Sequence, residues 1–380
     1  MAFTSWRHPN MPWDNTSLWS ATFDGAGRLA DLLEHNPGGG ESVINPRWDC
    51  QGALYAISDR DNWWQLYRVE EASSRHCILS RVKPKLAGRT GPSPQIIINL
   101  LDDGRVLAKR TQRGVEALVL IDPARDSMVP LPLAGVAFPG FMAVGDRVFA
   151  IATAADSPPA LVTANLGDNP SPVVIRTASA MGWGRTGCRL TAWCGFRLAR
   201  APRRTVSICR RPTRGARAGG QAPPLLVTLH GGPTGMSDPG YDPDLYYWTS
   251  RGFAVLQVNY RGSTGYGRAY RRALYGQWGV FDVEDAVAGA QWLAAQGLAD
   301  PERLIIRGSA GGFSTLAALA FQDTFAGASY YGVSDIEALA RDTHKFESRY
   351  LDQVIGPYPE ARDLYPGALS DPPSGALTRP

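Results

Sequence analysis

Apolar and polar positions alternate in short bursts over the first 175 residues. Ala53 to Val69, ALYAISDRDNWWQLYRV, places two apolar and aromatic runs around the polar turn DRDN, the pattern of a β-hairpin. LWSATFDGAGRLADLL, DDGRVLAKRTQRGVEALVLID and GDRVFAIATAADSPPALVTANL repeat the theme. Aligning the strand taken to end each unit on Leu18, Leu66, Leu118 and Leu161 gives spacings of 48, 52 and 43 residues. A loose period of about 40–50 residues with four short strands per unit predicts propeller blades. The expectation for residues 1–175 is therefore a partial β-propeller of about four blades. A β-sandwich with evenly spaced hairpins is the alternative that the same pattern allows.

The pattern changes near Pro223. PPLLVTLH, GFAVLQVNY and RLIIRGS read as buried strands. Between the last two lies VEDAVAGAQWLAAQG, with Val283, Ala286, Val287, Ala290, Leu293 and Ala294 at helical spacing and Asp282 in position to cap. Strand, helix, strand predicts an α/β domain with a parallel sheet, here residues 222–365.

Three stretches fit neither pattern: Ser73 to Gln95, Arg176 to Gln221, and the tail Pro366 to Pro380. The middle one is crowded with Arg, Gly and Ala and reads as an irregular linker between domains. It lacks the interleaved aromatics of a nucleic-acid-binding arm, so no nucleic-acid partner is expected. Arg, Gly, Ala and Pro are also what GC-rich codons yield in a shifted frame, a second explanation for all three stretches.

Composition adds limits. A hydrophobic content of 44% with 19% charged residues suits a globular chain, and a net charge of +4 is too small to point to nucleic acid. Cys50, Cys77, Cys188, Cys194 and Cys209 lack metal-ligand spacing, which predicts reduced thiols and no metal. The N-terminus lacks a secretory pattern and no apolar run is long enough to span a membrane, so a cytoplasmic protein without a membrane partner is expected.

The chemistry centres on Gly308-Ser309-Ala310-Gly311, a G-x-S-x-G turn between a strand and a helix-forming stretch. Such an elbow lifts a serine hydroxyl out of the sheet, with small neighbours tolerating the pinched backbone. By itself it is equally a Gly-rich βα turn without chemistry. A second motif changes the balance. His230-Gly231-Gly232-Pro233 follows the strand LLVTL, 79 residues before Ser309. A turn of this kind supplies one oxyanion-hole amide and the residue after the nucleophile supplies the other, here Gly232 and Ala310. His230 belongs to that turn and reads as structural.

LLVTLHGGPTG, VLQVNYRGSTGYGRAYRRALYGQWGVFDVEDAV and IIRGSAGGFSTLAAL resemble the catalytic domain of the prolyl oligopeptidase family of serine peptidases. The branch is that of the acylaminoacyl-peptidases and dipeptidyl-peptidases. ESVINPRWDCQGALYAISDRDNWWQLYR resembles its late propeller blades, and THKFESRYLDQVIGPYP has the same likeness. The resemblance implies a β-propeller over an α/β-hydrolase domain, cleavage of oligopeptides through an acyl-serine at Ser309, and no cofactor. It places a triad Asp about 80 residues beyond the serine and a His about 30 further, in a His-Gly turn.

Only 71 residues follow Ser309, and His344 is the one later His. It stands in DTHKFESRY, before any further strand run, and the resemblance puts that segment near the substrate instead. Asp335, after GASYYGV, reads as a loop residue or helix cap. The triad Asp and His are thus expected to be absent, the chain truncated at its C-terminus, and the hydrolase domain short of its last strands, with an exposed sheet edge. A peptidase inactive as given is the resulting expectation. A non-catalytic peptide- or partner-binding relative and an esterase on the same fold are the alternatives.

Overall fold

The computed structural model describes residues 1–70, 75–77, 98–112, 114–167, 170–178, 190–197, 204–210, 221–308 and 312–365. The chain divides into two compact units. One holds Met1–Thr153, Pro159–Ala178 and Gly265–Arg268; the other holds Ala154–Pro158, Ser179–Thr264 and Ala269–Pro380.

The first unit consists of antiparallel sheets made from consecutive strands. The first sheet has three, β1 (Ala2–Ser5), β2 (Ser17–Phe23) and β3 (Leu29–Glu34). The next is β4 (Val43–Trp48), β5 (Leu54–Ser58), β6 (Gln65–Val69) and β7 (Arg75–Cys77). Then come β8 (Ile98–Leu100), β9 (Val106–Gln112), β10 (Val115–Asp122) and β11 (Ser127–Pro130). The last is β12 (Ala137–Val144), β13 (Arg147–Thr153), β14 (Ala160–Asn165) and β15 (Val173–Thr177).

The predicted hairpin is β5–β6, paired from Leu54↔Val69 to Ser58↔Gln65. The strands aligned on Leu18, Leu66, Leu118 and Leu161 do not end their units. They are β2, β6, β10 and β14, and each is followed by one more strand of the same sheet. Leu161 is also one residue out of step. It is 39% exposed, whereas its neighbour Val162 is buried as Leu18, Leu66 and Leu118 are. β14 pairs with β13 without a break, so the alternation itself puts Val162 on the buried face and Leu161 on the other.

The sheets share apolar cores in chain order, because alternate residues of one strand face opposite neighbours. Val106 and Ala108 of β9 join Tyr55, Ile57 and Leu66 of the preceding sheet. Leu107, between them, joins Phe138, Phe141 and Val148 of the following sheet. A buried ion pair reinforces the second contact. Lys109 Nζ lies 3.0 Å from Glu116 Oε1, both side chains almost fully buried. The β12–β13 register shifts between Ala137 and Gly140, which leaves the Phe138 peptide outside the ladder. Lys109 donates to Phe138 O at 3.2 Å and Glu116 Oε2 accepts from Phe138 N at 2.6 Å. The ion pair therefore satisfies the backbone groups that the bulge releases. Arg268 has a similar role in this unit, donating to Asp59 Oδ1 at 2.7 Å and to Asp14 O at 2.7 Å.

The second unit is built on a six-stranded sheet of order β16-β17-β19-β18-β20-β21. The strands are β16 (Leu190–Arg197), β17 (Arg204–Arg210), β18 (Leu225–Leu229), β19 (Ala254–Asn259), β20 (Leu304–Gly308) and β21 (Ala326–Ser329). β18 pairs in parallel with β19 and β20, and β20 with β21. β16 and β17 lie in the stretch expected to be an irregular linker; they form an antiparallel pair, and β17 adds to β19. The alternation in Arg-Thr-Val-Ser-Ile-Cys-Arg, residues 204–210, is the signal that could have shown it.

The helices are α1 (Pro243–Thr249), α2 (Arg268–Arg272), α3 (Phe281–Ala295), α4 (Gly312–Phe321), α5 (Ile336–Asp342) and α6 (Tyr350–Val354). Val283, Ala286, Ala290 and Leu293 of α3 pack on Leu225, Val227, Leu256 and Ile306 of the sheet. Asp282 does not cap α3 as its sequence position suggested. Val280 occupies the cap without a side-chain bond, and Asp282 sits buried in the first turn. Asp335 is the N-cap of α5, accepting from Ala338 N at 2.8 Å. Among the described residues no helix is long and apolar enough to cross a membrane.

Candidate active site

The turns that follow β18, β19 and β20 all leave the carboxyl end of the parallel sheet, where ligands of open α/β sheets bind. His230–Thr234 follows β18, Tyr260–Thr264 follows β19, and Gly308 ends β20 with α4 resuming at Gly312. Ser309, Ala310 and Gly311, the expected nucleophile, second oxyanion amide and elbow glycine, lie outside the described residues. What the structure presents is the frame around them.

Gly232 has φ +133°, and a Cβ there would stand 2.6 Å from Thr234 N, so only glycine fits this turn. Two tyrosines hold it. The Tyr260 hydroxyl is shared between the carbonyls of His230 at 3.1 Å and Pro233 at 2.8 Å. The Tyr350 hydroxyl accepts from Thr234 N at 3.0 Å and shares a 2.6 Å bond with Thr234 Oγ1. With its flanking carbonyls and the next amide engaged, the Gly232 amide meets no acceptor among the described residues. A rigid amide left unpaired at a strand end is what an oxyanion donor requires.

His230 is committed to the turn. Its ring stacks on Tyr260 with centroids 4.3 Å apart, and Nε2 lies 2.6 Å from Ser263 Oγ. Nδ1 lies 3.1 Å from Gly231 O, so a proton on Nδ1 satisfies both contacts. Burial, followed by the charge of Asp282 and by Tyr350, holds the Tyr260 phenol well above its usual pKa, which keeps it a donor. Further along, Asn259 clamps Ser237, accepting from its amide at 2.7 Å and donating to its carbonyl at 3.1 Å.

The start of α4 packs against the strand ends with no room for a side chain. A Cβ on Gly312 would lie 2.3 Å from Gly332 Cα and 2.9 Å from Ser329 Oγ. Phe313 packs on Trp278 in a tilted arrangement, with 4.7 Å between ring centroids. Asp282 links the same parts, since its Oδ1 accepts from Gly279 N at 2.7 Å and its carboxylate bonds the Ser314 side chain. Its Oδ2 makes no hydrogen bond among the described residues. Burial raises the Asp282 pKa to about 6 against those bonds. Asp285 is likewise pushed up to about 6 by burial, although Arg261 donates to it from N at 2.6 Å and Nε at 3.0 Å.

His344 is 66% exposed, with Nε2 3.6 Å from Glu347 Oε2. Its neighbours Thr343 and Glu347, with Gly232, Trp278, Leu339, Tyr350 and Leu351, line a small cavity of about 40 Å³. Tyr260, Tyr350, Trp278 and Glu347 carried no motif of their own in the sequence. Tyr350 stands 116 residues from the Thr234 it holds, beyond any local pattern.

This frame has known counterparts. The sequence profile of the prolyl oligopeptidase family matches residues 239–367. A Mycobacterium tuberculosis puromycin-hydrolyzing peptidase superposes with a TM-score of 0.86 at 37% identity, covering 95% of this chain and 56% of its own. The dipeptidyl aminopeptidase BIII of Pseudoxanthomonas mexicana is 34% identical over 134 residues, 34% of this chain and 19% of that enzyme. The acylamino-acid-releasing enzyme of Arabidopsis thaliana is 39% identical over 97 residues, 25% of this chain and 13% of that enzyme. The chain thus spans about half the length of the solved peptidase it matches over nearly its whole extent. Residues 239–367 thus match the prolyl oligopeptidase family, and the relatives and solved structures that the chain resembles are peptidases.

Proposed function

We propose that this chain carries the acylation half of a serine peptidase acting on oligopeptides. Ser309 is the nucleophile, on an elbow formed with Gly308 and Gly311. The amides of Gly232 and Ala310 receive the developing oxyanion, and an acyl-serine is the intermediate. The antiparallel sheets of the first unit are about four blades of a β-propeller preceding an α/β-hydrolase domain. The observation that supports the reading is the Gly232 turn, held by Tyr260 and Tyr350 with the Gly232 amide meeting no acceptor among the described residues.

A serine needs a base, and the histidines of the second unit are His230 and His344. His230 is stacked and bonded within the turn, and His344 is exposed beside Glu347. Turnover by this chain is expected to be negligible, with slow acylation remaining, because oxyanion stabilisation and binding alone retain about 10³–10⁴-fold catalysis over water. The test is single-turnover acylation by a p-nitrophenyl ester, with the adduct located by mass spectrometry. Acylation at Ser309 that disappears in Ser309→Ala supports the reading. An adduct elsewhere, or a rate unchanged in Ser309→Ala, refutes it and leaves a binding role.

A further inference from the structure

Asp282 is fully buried in the first turn of α3, and its contacts join three segments. Oδ1 accepts from Gly279 N at 2.7 Å, and the carboxylate bonds the side chain of Ser314 in α4. Gly279 itself meets α4. It has φ +86°, and a Cβ there would stand 2.9 Å from Phe313 Cε1. The loop that Asp282 fastens is bonded in turn to α6, Gly276 N to Gln353 O at 3.0 Å and Trp278 N to Val354 O at 3.1 Å. α6 carries Tyr350, which holds Thr234 beside Gly232. Ser309 lies five residues before Ser314. One carboxylate thus stands between the helix that follows the elbow and the loop braced on the Gly232 turn.

We propose that Asp282 is a positioning residue, whose ionised carboxylate fixes the first turn of α4, and with it the Ser309 elbow, against the Gly232 turn. What the elbow carries rests on the peptidase reading. An ionised carboxylate has acceptors only, so the Gly279 amide and the Ser314 hydroxyl are both held by charge-assisted bonds. Protonation, or replacement by Asn, turns one acceptor into a donor and loosens that pairing. Burial opposes the ionised form and raises the pKa to about 6, and the charge of Asp285 adds to the effect. Asp285 is itself bonded by Arg261, which also holds Glu284. The remaining titratable groups on this side are Tyr260, Tyr350 and the His230 ring stacked on Tyr260. Residues 276–279, α4, β18 and β19 contribute none.

Two measurements on the full chain test this, each comparing the parent with Asp282→Asn from pH 5 to pH 8. The first is the single-turnover acylation rate at saturating p-nitrophenyl ester. The parent-to-variant ratio is expected to stay near one at pH 5 and to rise through about pH 6. It should reach about tenfold at pH 8, as for a lost charge-assisted bond, with the dissociation constant of the ester unchanged within about twofold. Taking the ratio cancels any pH dependence the two proteins share. The second measurement is hydrogen exchange of residues 309–315, read by mass spectrometry. At pH 7 the variant should exchange about tenfold faster there, although relief of the buried charge makes it the more stable protein overall. At pH 5 the two should match. A merely structural role gives the opposite sign, slower exchange in the more stable protein. Ser314→Ala keeps the buried carboxyl but removes its bond to α4, and should show the same two changes at pH 7–8.

A ratio that stays flat with Ser309 acylation intact overturns the role of Asp282, as does unchanged exchange at 309–315 in both variants at pH 7. If the parent gives no Ser309 acylation while the exchange difference stands, the peptidase reading fails and the positioning of the elbow by Asp282 holds.

Discussion

Asp282 shows how one side chain can serve geometry at a cost to charge. Its Oδ1 fastens Gly279, and so the Trp278 loop, to the first turn of α3. Ser314 ties the same carboxylate to α4. Nothing among the described residues meets Oδ2, and burial lifts the pKa from 3.8 to about 6. A carboxyl whose pKa is higher folded than unfolded binds protons more readily when folded. Its stabilising contribution is complete below about pH 4 and is lost as pH rises through about 6, worth about 3 kcal/mol for a shift of this size. Asp285 acts in the same direction. Asp282→Asn is therefore expected to match the parent near pH 4, to be more stable at pH 7, and to roughly halve the slope between. Melting curves from pH 4 to 7 check it; parallel curves for the two proteins would show that Asp282 is not the group responsible.

At the scale of elements, the β12 bulge and the ion pair that serves it stand out. Phe138 leaves the β12–β13 ladder, and Lys109 and Glu116, on β9 and β10, take its carbonyl and amide. Removing one partner strands the other charge in the core. Glu116→Gln is expected to destabilise the protein by about 3–5 kcal/mol, while an apolar replacement of both partners should cost less than either single change. Urea unfolding of Glu116→Gln and of the Lys109→Met, Glu116→Leu double variant measures both. A double variant less stable than each single one would mean that the Phe138 contacts, and not the charge balance, dominate. None of this was legible in the sequence. Lys109 reads there as one cation among AKRTQR, a solvated face, because the pattern shows where apolar residues alternate and not which polar residue a later bulge requires.

The two units have cores of their own, one set between successive antiparallel sheets and one between α3 and the parallel sheet. Glu116→Gln and Asp282→Asn each act within a single unit and share no partner. Their effects at pH 7 are expected to add to within about 0.5 kcal/mol, and a larger departure in the double variant would reveal energetic coupling. The sequence by itself determined the elements whose signal is local. The β5–β6 hairpin, the strands β18, β19 and β20, helix α3 and the glycine turn at Gly232 follow from the spacing of apolar residues and from glycine's tolerance of positive φ. It also showed the order of motifs that points to a serine peptidase. Only the tertiary structure decided that β16 and β17 join the sheet, that Leu161 faces outward, and that Asp282 serves a buried contact in place of a cap. It alone brought Tyr260 and Tyr350 to the two sides of one turn. Those outcomes depend on register and on contacts between residues far apart in the chain, which no local period encodes.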